Sequence, residues 1–356
     1  MSEAVKVLQN KQVGYNYNQP INIEVKSLDI TGLKPNEVVI KIVAAAINPV
    51  DLIIYNSHPF IFFARGRKEF GRDFSGIIIH KGSNVQNFEI NDQISGILDD
   101  GLFNIGSFQE YIRIDISRYP NLGKIPKNLS LTEAASFPLV FGTAWTLFTH
   151  NHKPTESSRA LVIGGATSVG NYAIQLLKNY YNVKSIISIN SSKSSEFVKN
   201  SGVDQIVDYT ANNVANDVLS IVETQYNGEK LDIIVDTVGN NELFPIIDKI
   251  LKPKSENSGY YTIVGDQIGD YNKSFSFFHI TGVLKKLFFP KSFNYSFSSI
   301  QKGGWYEKAV ELFEQKKIKV NINKVVKGLE NYQILIDELK DHKSQGKLVL
   351  QVSELD

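Results

Sequence analysis

Hydrophobic and polar positions follow different patterns in two parts of the chain. Before about residue 130, short β-branched runs such as 38–43 and 77–79 alternate with turns rich in glycine, asparagine and proline. Such runs are typical of short β-strands. Between 160 and 265, strand-like runs alternate instead with segments whose apolar residues recur at helical spacing. The sequence therefore predicts a β-rich domain and an α/β domain with a doubly wound parallel sheet.

The boundary between the two patterns lies near residue 130. Ser130 and Glu133 match a capping box, and the apolar segment 137–148 beyond them is predicted to be a helix. After residue 270 the alternation ends. The tail is predicted to form helices over 305–315 and 332–340 and strands over 320–326 and 347–352. Because the tail does not repeat the βα unit, we assign 1–130 together with 304–356 to one domain, and 131–303 to the other.

A glycine-rich turn separates the predicted strand 160–163 from the helix that begins near Val169. Strand, glycine turn and helix form the first half of a dinucleotide-binding unit, in which the helix N-terminus holds the pyrophosphate. Thr167 replaces the middle glycine of the G-x-G-x-x-G fingerprint. Its hydroxyl and that of the next residue either bond the phosphates or obstruct them. The predicted cofactor contacts in this turn are Gly164, Gly165, Thr167, Ser168, Val169 and Gly170.

The end of the next predicted strand indicates which dinucleotide binds. An acid about 20 residues past the glycine turn would accept from the ribose 2′-OH and repel a 2′-phosphate. Segment 188–195 contains hydroxyls, Asn190 and Lys193 but no acid, which suits a phosphate. We therefore predict NADPH rather than NADH. Ligands lie at strand carboxyl ends in such sheets, so further contacts are predicted at Asn190, Ser191, Thr237, Val238, Gly239, Val264 and Gly265.

Composition argues against several classes of function. The chain has no cysteine, so disulfides, thiolate nucleophiles and cysteine-ligated zinc are absent, and its six histidines show no ligand spacing. A formal net charge of +1 gives no argument for a nucleic-acid partner. The apolar stretch 134–148 is too short to span a membrane, and 1–12 lacks the apolar core of a secretory signal. We expect a cytoplasmic protein without a transmembrane segment or a metal, acting on a small-molecule substrate.

Motifs in a characteristic order resemble the zinc-free, quinone-oxidoreductase-like branch of the medium-chain dehydrogenase/reductases. They cover nearly the whole chain, at 46–51, 71–76, 82–85, 106–111, 164–170, 236–239 and 346–350. Within this branch, segments 166–169, 244–248 and 251–254 resemble the fungal Yim proteins, which are associated with lipid droplets and mitochondria. The resemblance implies a GroES-like domain formed by both chain ends, a Rossmann domain between them, and NADPH in the cleft. It also implies hydride transfer to a quinone or an activated alkene or carbonyl.

The same resemblance implies individual roles. Zinc-dependent members carry a cysteine at the position of Asn48 and a histidine at that of Arg72, so metal catalysis is not expected. Asn48 is placed beside the nicotinamide, as the candidate catalytic donor to the substrate oxygen. Arg72 and Tyr111 are weaker candidates, since Arg72 could instead form a structural ion pair and Tyr111 could belong to the core. Related enzymes often have a tyrosine where this chain has Ile53. A substrate contact of those enzymes is therefore absent here, which argues against quinone activity. The resemblance also maps Lys193 and Tyr209 to the 2′-phosphate and Thr143 to the nicotinamide side.

Alternative functions stay open at this point. The altered glycine turn and Ile53 favour an NADPH-binding sensor or interaction protein with little catalysis. The Phe- and Lys-rich segment 275–297 is a candidate for lipid contact, for a homodimer interface or for core packing, and the chain is expected to be a monomer or a homodimer. A hydrolase triad of Ser168, Asp236 and His342 is the least favoured alternative, because it explains one motif only.

Overall fold

The computed structural model describes residues 7–57, 66–99, 104–151, 153–211, 213–239, 241–265, 271–272, 292–342 and 344–354. The strands are β1 Val7–Tyr15, β2 Asn22–Asp29, β3 Glu37–Ala46, β4 Lys68–Glu69, β5 Asp73–Lys81, β6 Gln93–Ile97, β7 Tyr111–Asp115, β8 Leu122–Lys124, β9 Arg159–Ile163, β10 Ser185–Asn190, β11 Gln205–Asp208, β12 Ile233–Asp236, β13 Gly259–Thr262, β14 Asn294–Phe297, β15 Ile322–Lys327 and β16 Lys347–Gln351. The helices are α1 Pro49–Ser57, α2 Leu131–Ala134, α3 Pro138–Thr149, α4 Ser168–Asn179, α5 Ser195–Lys199, α6 Val214–Ser220, α7 Ile247–Ile250, α8 Trp305–Glu314 and α9 Tyr332–Lys340.

The β-rich part is organised around β3. This strand pairs antiparallel with β5, β7 and β16, within a sheet of order β15-β16-β3-β5-β6-β8. A separate, smaller sheet has the strand order β2-β1-β4. Since β15 and β16 come from the end of the chain, the predicted return of the tail to the first domain is confirmed. Strand β3 is buried along most of its length, which explains why all its residues except Glu37 and Lys41 are valine, isoleucine or alanine.

The second sheet is parallel throughout, with the order β11-β10-β9-β12-β13-β14. Every residue of β9 is buried, as the short apolar run 160–163 predicts. The chain first moves from β9 to β10 on one side and later to β12 on the other. The strand order therefore reverses between β9 and β12, and such a reversal creates the crevice in which doubly wound sheets bind ligands.

Helices α3, α4 and α8 share one apolar core on a face of the parallel sheet. Aromatic rings dominate their contacts: the ring centroid of Phe313 lies 4.9 Å from that of Phe137 and 6.3 Å from that of Tyr172. Helix α8 thus packs with the Rossmann helices, and the chain enters the other sheet only at β15. The division of the chain at residue 304 stays a prediction, and these contacts favour a division between α8 and β15.

The capping box at Ser130 has a narrower role than the sequence suggests. Ser130 Oγ accepts from the Glu133 N–H at 3.3 Å, and Glu133 Oε2 accepts from the Ser130 N–H at 2.8 Å. These bonds cap only the single turn of α2. The long apolar helix α3 begins separately at Pro138, whose fixed φ suits the first helical position.

Candidate active site and cofactor cleft

The glycine turn after β9 brings α4 close to the sheet. Gly164 has φ +83°, in the left-handed region that favours glycine, and its N–H donates to the Ile189 carbonyl at 2.9 Å. A β-carbon at Gly164 would overlap Val238, and one at Gly170 would overlap the Gly164 carbonyl oxygen. Two of the predicted contact glycines are therefore required by the backbone path itself, and the turn has the close approach that a dinucleotide site needs.

Thr167 is the N-cap of α4. Its Oγ1 accepts from the Gly170 N–H at 3.0 Å and lies 2.9 Å from Thr237 Oγ1. Thr237 directs its own hydroxyl proton to the Ile163 carbonyl at 2.9 Å, so the Thr167 hydroxyl donates to Thr237. The side chain thereby joins the loops that follow β9 and β12. The N–H groups of Ser168 and the next residue, at the first two helical positions, have no intrahelical acceptor and suit an anion.

The second group of predicted cofactor residues lies at the carboxyl end of β10. Asn190 is buried; its Oδ1 accepts from Ser188 Oγ at 3.0 Å and its Nδ2 donates to the Ser191 carbonyl at 2.9 Å. Lys193 and Tyr209 are exposed. The Tyr209 N–H lies 3.4 Å from the Asn190 carbonyl oxygen, so these residues form one edge of the cleft. Their assignment as contacts of a 2′-phosphate stays a prediction.

One acid at this edge was missed from the sequence. Asp208 ends β11, which pairs with β10 so that Asp208 lies opposite Asn190. Its Oδ1 accepts from the Thr210 N–H at 2.9 Å and from Thr210 Oγ1 at 2.7 Å. These bonds, with smaller ones from Ser192, hold the pKa of Asp208 below its usual value. The dinucleotide-binding sequence pattern predicts an acid only at the end of β10, whereas the neighbouring strand of the sheet supplies this carboxylate.

The remaining predicted contacts lie in loops that fold back on the ends of β12 and β13. Asp236 Oδ1 accepts from the N–H groups of Val238 and Gly239, both at 2.9 Å. Thr262 Oγ1 accepts in the same way from Val264 at 3.2 Å and Gly265 at 2.9 Å. Both loops thus have a fixed shape beside the crevice.

A buried polar cluster lies where both sheets approach α3. Asp73 Oδ2 accepts from Asn48 Nδ2 and from Lys347 Nζ, each at 2.9 Å, and Asp73 Oδ1 accepts from the Leu139 N–H at 2.9 Å. Lys347 Nζ also donates to Asn48 Oδ1. The side chains of Asp73 and Lys347 are 0% and 5% exposed. We call Asn48, Asp73 and Lys347 the polar triangle; it joins β3, β5 and β16 to the start of α3.

Asp51 and Arg72 extend this cluster on the side of α1. Asp51 Oδ2 accepts from the Asn48 backbone N–H at 2.8 Å, and Arg72 Nε lies 3.5 Å from Asp51 Oδ1. Burial raises the pKa of Asp51 to about 6, although the Arg72 guanidinium opposes the rise. Both side chains line a small space, partly open to solvent, together with Tyr15 and Glu69. We call this space the Arg72 cavity.

Known proteins share this architecture and much of the sequence. The alcohol dehydrogenase GroES-like domain matches residues 34–127, and the zinc-binding dehydrogenase family matches residues 168–315. Protein YIM1 of Vanderwaltozyma polyspora is 31% identical, over 97% of this chain and 99% of its own. Protein YIM1 of Candida glabrata is 34% identical, over 95% and 97%. The quinone oxidoreductase of Coxiella burnetii has the same fold, with a TM-score of 0.76, 22% identity, and coverage of 97% and 100%.

The chain belongs to the medium-chain dehydrogenase/reductases. The fold and the family predicted from the sequence are thus confirmed, including the likeness to the fungal Yim proteins. This family consists of oxidoreductases that bind a nicotinamide cofactor. The glycine turn and the N–H groups at the first two positions of α4, which have no intrahelical acceptor, fit the pyrophosphate of such a cofactor.

The cluster does not fit the catalytic zinc of the zinc-dependent family members. Arg72 and Lys347 place two cationic side chains in and beside it, and they would repel a dication. Among the described residues no group of three or more histidine, aspartate or glutamate side chains could hold a metal ion. These residues therefore do not support a zinc-dependent mechanism.

Two further predicted residues lie on helices beside this cluster. Thr143, on α3, is buried and its Oγ1 donates to the Leu139 carbonyl at 2.7 Å. Ile53, on α1, is half-buried. The part of the chain that the structure describes contains no helix long and apolar enough to cross a membrane.

The two remaining sequence hypotheses have different outcomes. Asp236 is committed to backbone N–H groups and to the Tyr260 hydroxyl at 2.8 Å, while His342 stacks on Tyr271 with a centroid distance of 4.4 Å. These contacts do not favour the hydrolase triad. The segment proposed for lipid contact lies outside the described residues from 275 to 291. Within its remainder, Phe293 and Tyr295 are buried and Phe297 is 42% exposed.

Proposed function

We propose that the protein is an NADPH-dependent, zinc-independent reductase that transfers hydride to a quinone or to an activated alkene or carbonyl. The observation that carries the proposal is the buried cluster of Asn48, Asp51, Arg72, Asp73 and Lys347. Lys347 lines a pocket together with Ser168 at the start of α4, so the cluster borders the dinucleotide-type crevice as well as the β-rich sheet. The cluster presents cationic side chains instead of metal ligands. A reduction that develops negative charge on oxygen can use such fixed positive charge.

The choice of NADPH over NADH rests on the edge formed by β10 and β11. Lys193 and Tyr209 are exposed there, and hydroxyl and amide groups surround them. Asp208, an acid at this edge, already accepts hydrogen bonds from Thr210. Those bonds reduce its capacity to accept from a ribose hydroxyl, so the edge retains its preference for a phosphate.

When bound, NADPH supplies a hydride, and the protein must orient the substrate and stabilise the charge that forms on it. The catalytic role of Asn48 stays a prediction. Its Nδ2 donates to Asp73 at 2.9 Å and lies 3.5 Å from the Ala46 carbonyl, so direct donation to a substrate would require one of these contacts to break. The geometry therefore supports a positioning role for Asn48. Asp51, which accepts from the Asn48 backbone N–H at 2.8 Å, and Arg72, which faces Asp51, both line the Arg72 cavity.

The direct test combines binding and turnover. Calorimetry with NADPH and NADH gives the cofactor preference, and oxidation of NADPH in the presence of quinones, enones, enals and aldehydes gives the substrate class. Lys193→Glu should weaken NADPH binding by about tenfold and NADH binding far less, because one charge contact is worth about 1.4 kcal/mol or more. Lys199→Glu, also exposed and six residues along, is the matched control. Tighter binding of NADH by the unaltered protein would contradict the assignment.

A second candidate function is an NADPH sensor or interaction protein with little catalysis. It is favoured by the engaged amide of Asn48 and by Ile53 at a position where related enzymes often carry a tyrosine. Binding of NADPH without turnover of any substrate in the panel would support it. The cytoplasmic location and the association with lipid droplets or mitochondria stay predictions, which fractionation of cells expressing the tagged protein would test.

A further inference from the structure

A single hydrogen bond links Asp51, which lines the Arg72 cavity, to Asn48 of the polar triangle. The Asn48 backbone N–H donates to Asp51 Oδ2 at 2.8 Å, and the other oxygen of Asp51 faces Arg72 at 3.5 Å. Both side chains are less than a tenth exposed, yet both line the cavity. A carboxyl group and a guanidinium group that stays positively charged therefore border the same small space within a largely buried site.

The polar triangle itself has no group suited to give up a proton to a substrate. Asp73 accepts three hydrogen bonds, from Asn48, Lys347 and the Leu139 N–H, so its two oxygens act only as acceptors. Lys347 directs its ammonium group to Asp73 and Asn48. Transfer of its proton would leave the Asp73 charge buried without a counter-charge, which is costly. A proton for the reaction must come from elsewhere.

We propose that the Arg72 cavity receives the oxygen atom of the substrate, where the Arg72 guanidinium stabilises the developing negative charge and the Asp51 carboxyl group donates the proton. This inference rests on the proposed reductase function and names the oxygen site and the general acid of that reaction. It assigns Asp51 a chemical role that its position on a short helix did not suggest.

The charges around Asp51 agree with this role. Arg72, Asp73 and Lys347 face it, and Tyr15 also borders the cavity. Burial is the largest influence and raises the pKa of Asp51 to about 6, so the group exchanges protons close to neutral pH. Glu69 borders the same cavity, but it already accepts from the Gly106 N–H at 3.1 Å and from Gln109 Nε2 at 2.6 Å.

Hydride and proton reach the substrate from two different donors. With a carbonyl substrate, bound NADPH would supply a hydride with two electrons and become NADP⁺; the hydride would form the new C–H bond while the carbonyl π electrons move to oxygen. The O–H bond of Asp51 breaks and a new O–H bond forms on the substrate. The Asp51 carboxylate left behind is stabilised by Arg72 and by the Asn48 N–H. Solvent then restores its proton, so each turnover consumes one NADPH and one proton.

The decisive variant is Asp51→Asn, which keeps the acceptor for the Asn48 N–H but carries no transferable proton. We expect kcat to fall about 100-fold or more, with the Kd for NADPH changed by less than about twofold. In the unaltered enzyme kcat should fall as pH rises above the Asp51 pKa of about 6. This fall in kcat with rising pH should be absent from Asp51→Asn, but present in Asp51→Glu and in Glu69→Gln. A fall that persists in Asp51→Asn would overturn the proposal.

A measurement without turnover guards against a variant that fails to fold. Infrared spectra of the unaltered protein labelled with ¹³C-aspartate should show a buried protonated carboxyl group that ionises near the same pH. Absence of any such aspartate band would overturn the proposal. If the unaltered protein binds NADPH but reduces no substrate in the panel, the proposed function fails as well. If it reduces substrates and Asp51→Asn does so equally well, only the present inference fails.

Discussion

Replacing Lys347 by methionine removes the counter-charge of Asp73 from the centre of the polar triangle. The Lys347 and Asp73 side chains are 5% and 0% exposed, and their charged atoms are 2.9 Å apart. In Lys347→Met, Asp73 would keep its bonds from Asn48 and the Leu139 N–H but no cation. Breaking a buried ion pair from one side typically costs about 3–5 kcal/mol of unfolding free energy. That is a large share of the roughly 5–15 kcal/mol of a typical domain.

The assay is urea unfolding followed by far-ultraviolet circular dichroism, with a double variant to separate charge from packing. Asp73→Asn/Lys347→Met removes both charges and should recover most of the loss, because no unpaired charge stays buried. Lys327→Met on the neighbouring strand β15 is the matched control, since its side chain is 73% exposed and lies 3.8 Å from Glu354. Its unfolding free energy should change by less than about 0.5 kcal/mol.

Two results would refute this reasoning. A loss below about 1 kcal/mol in Lys347→Met would show that Asp73 finds other compensation or is protonated. A double variant no more stable than Lys347→Met would show that packing of the lysine stem, and not its charge, is what matters.

Three further predictions concern the glycine turn and Asp51. Thr167→Gly should lower the unfolding free energy by about 1 kcal/mol without weakening NADPH binding, because the Thr167 hydroxyl is already bonded to Thr237 and the Gly170 N–H. Calorimetry that shows tenfold weaker NADPH binding in Thr167→Gly, but not in Thr167→Ser, would contradict this prediction. Gly164→Ala should lower the unfolding free energy by about 2 kcal/mol or more and impair NADPH binding, since φ at Gly164 is +83° and the added methyl group would overlap Val238. An unchanged melting temperature would contradict this prediction. Because Asp51 ionises near pH 3.8 when unfolded and near 6 when folded, its contribution should make the protein less stable as pH rises between these values, by on the order of 2 to 3 kcal/mol. Urea titrations at several pH values should show this trend reduced in Asp51→Asn.

The strands and helices could be predicted well because their signals are local. Each run of β-branched residues and each helical spacing lies within a dozen positions of the sequence. The polar triangle could be predicted only in part. Asn48, Asp73 and Lys347 come together through antiparallel pairing of β3 with β5 and β16, and no local pattern shows that pairing. A signal was present, however: both Asp73 and Lys347 adjoin apolar strands inside motifs that the family resemblance singled out.

Two residues of the cofactor cleft show how the sequence misled. Thr167 looked like a defect in the glycine fingerprint, whereas a threonine before a helix is also a common N-cap, and that is its place here. Asp208 could not be predicted from the residues that follow β10, because it belongs to a different strand, β11. In a parallel sheet, the neighbouring strand contributes to the same edge from a distant part of the sequence.

Asn48 and Lys347 are separated by 299 positions along the chain, yet they meet in one hydrogen bond. Ribosomal synthesis produces the first partner long before the second, and the entire Rossmann unit emerges in the interval. Until β16 is added beside β3, Asp73 has no ammonium partner and the central sheet has an open edge. Contacts of such long sequence separation form slowly and leave strand edges open to wrong pairing. We therefore expect nascent chains arrested before β16 to depend on chaperones and to lack an assembled site, although their cofactor crevice is already encoded.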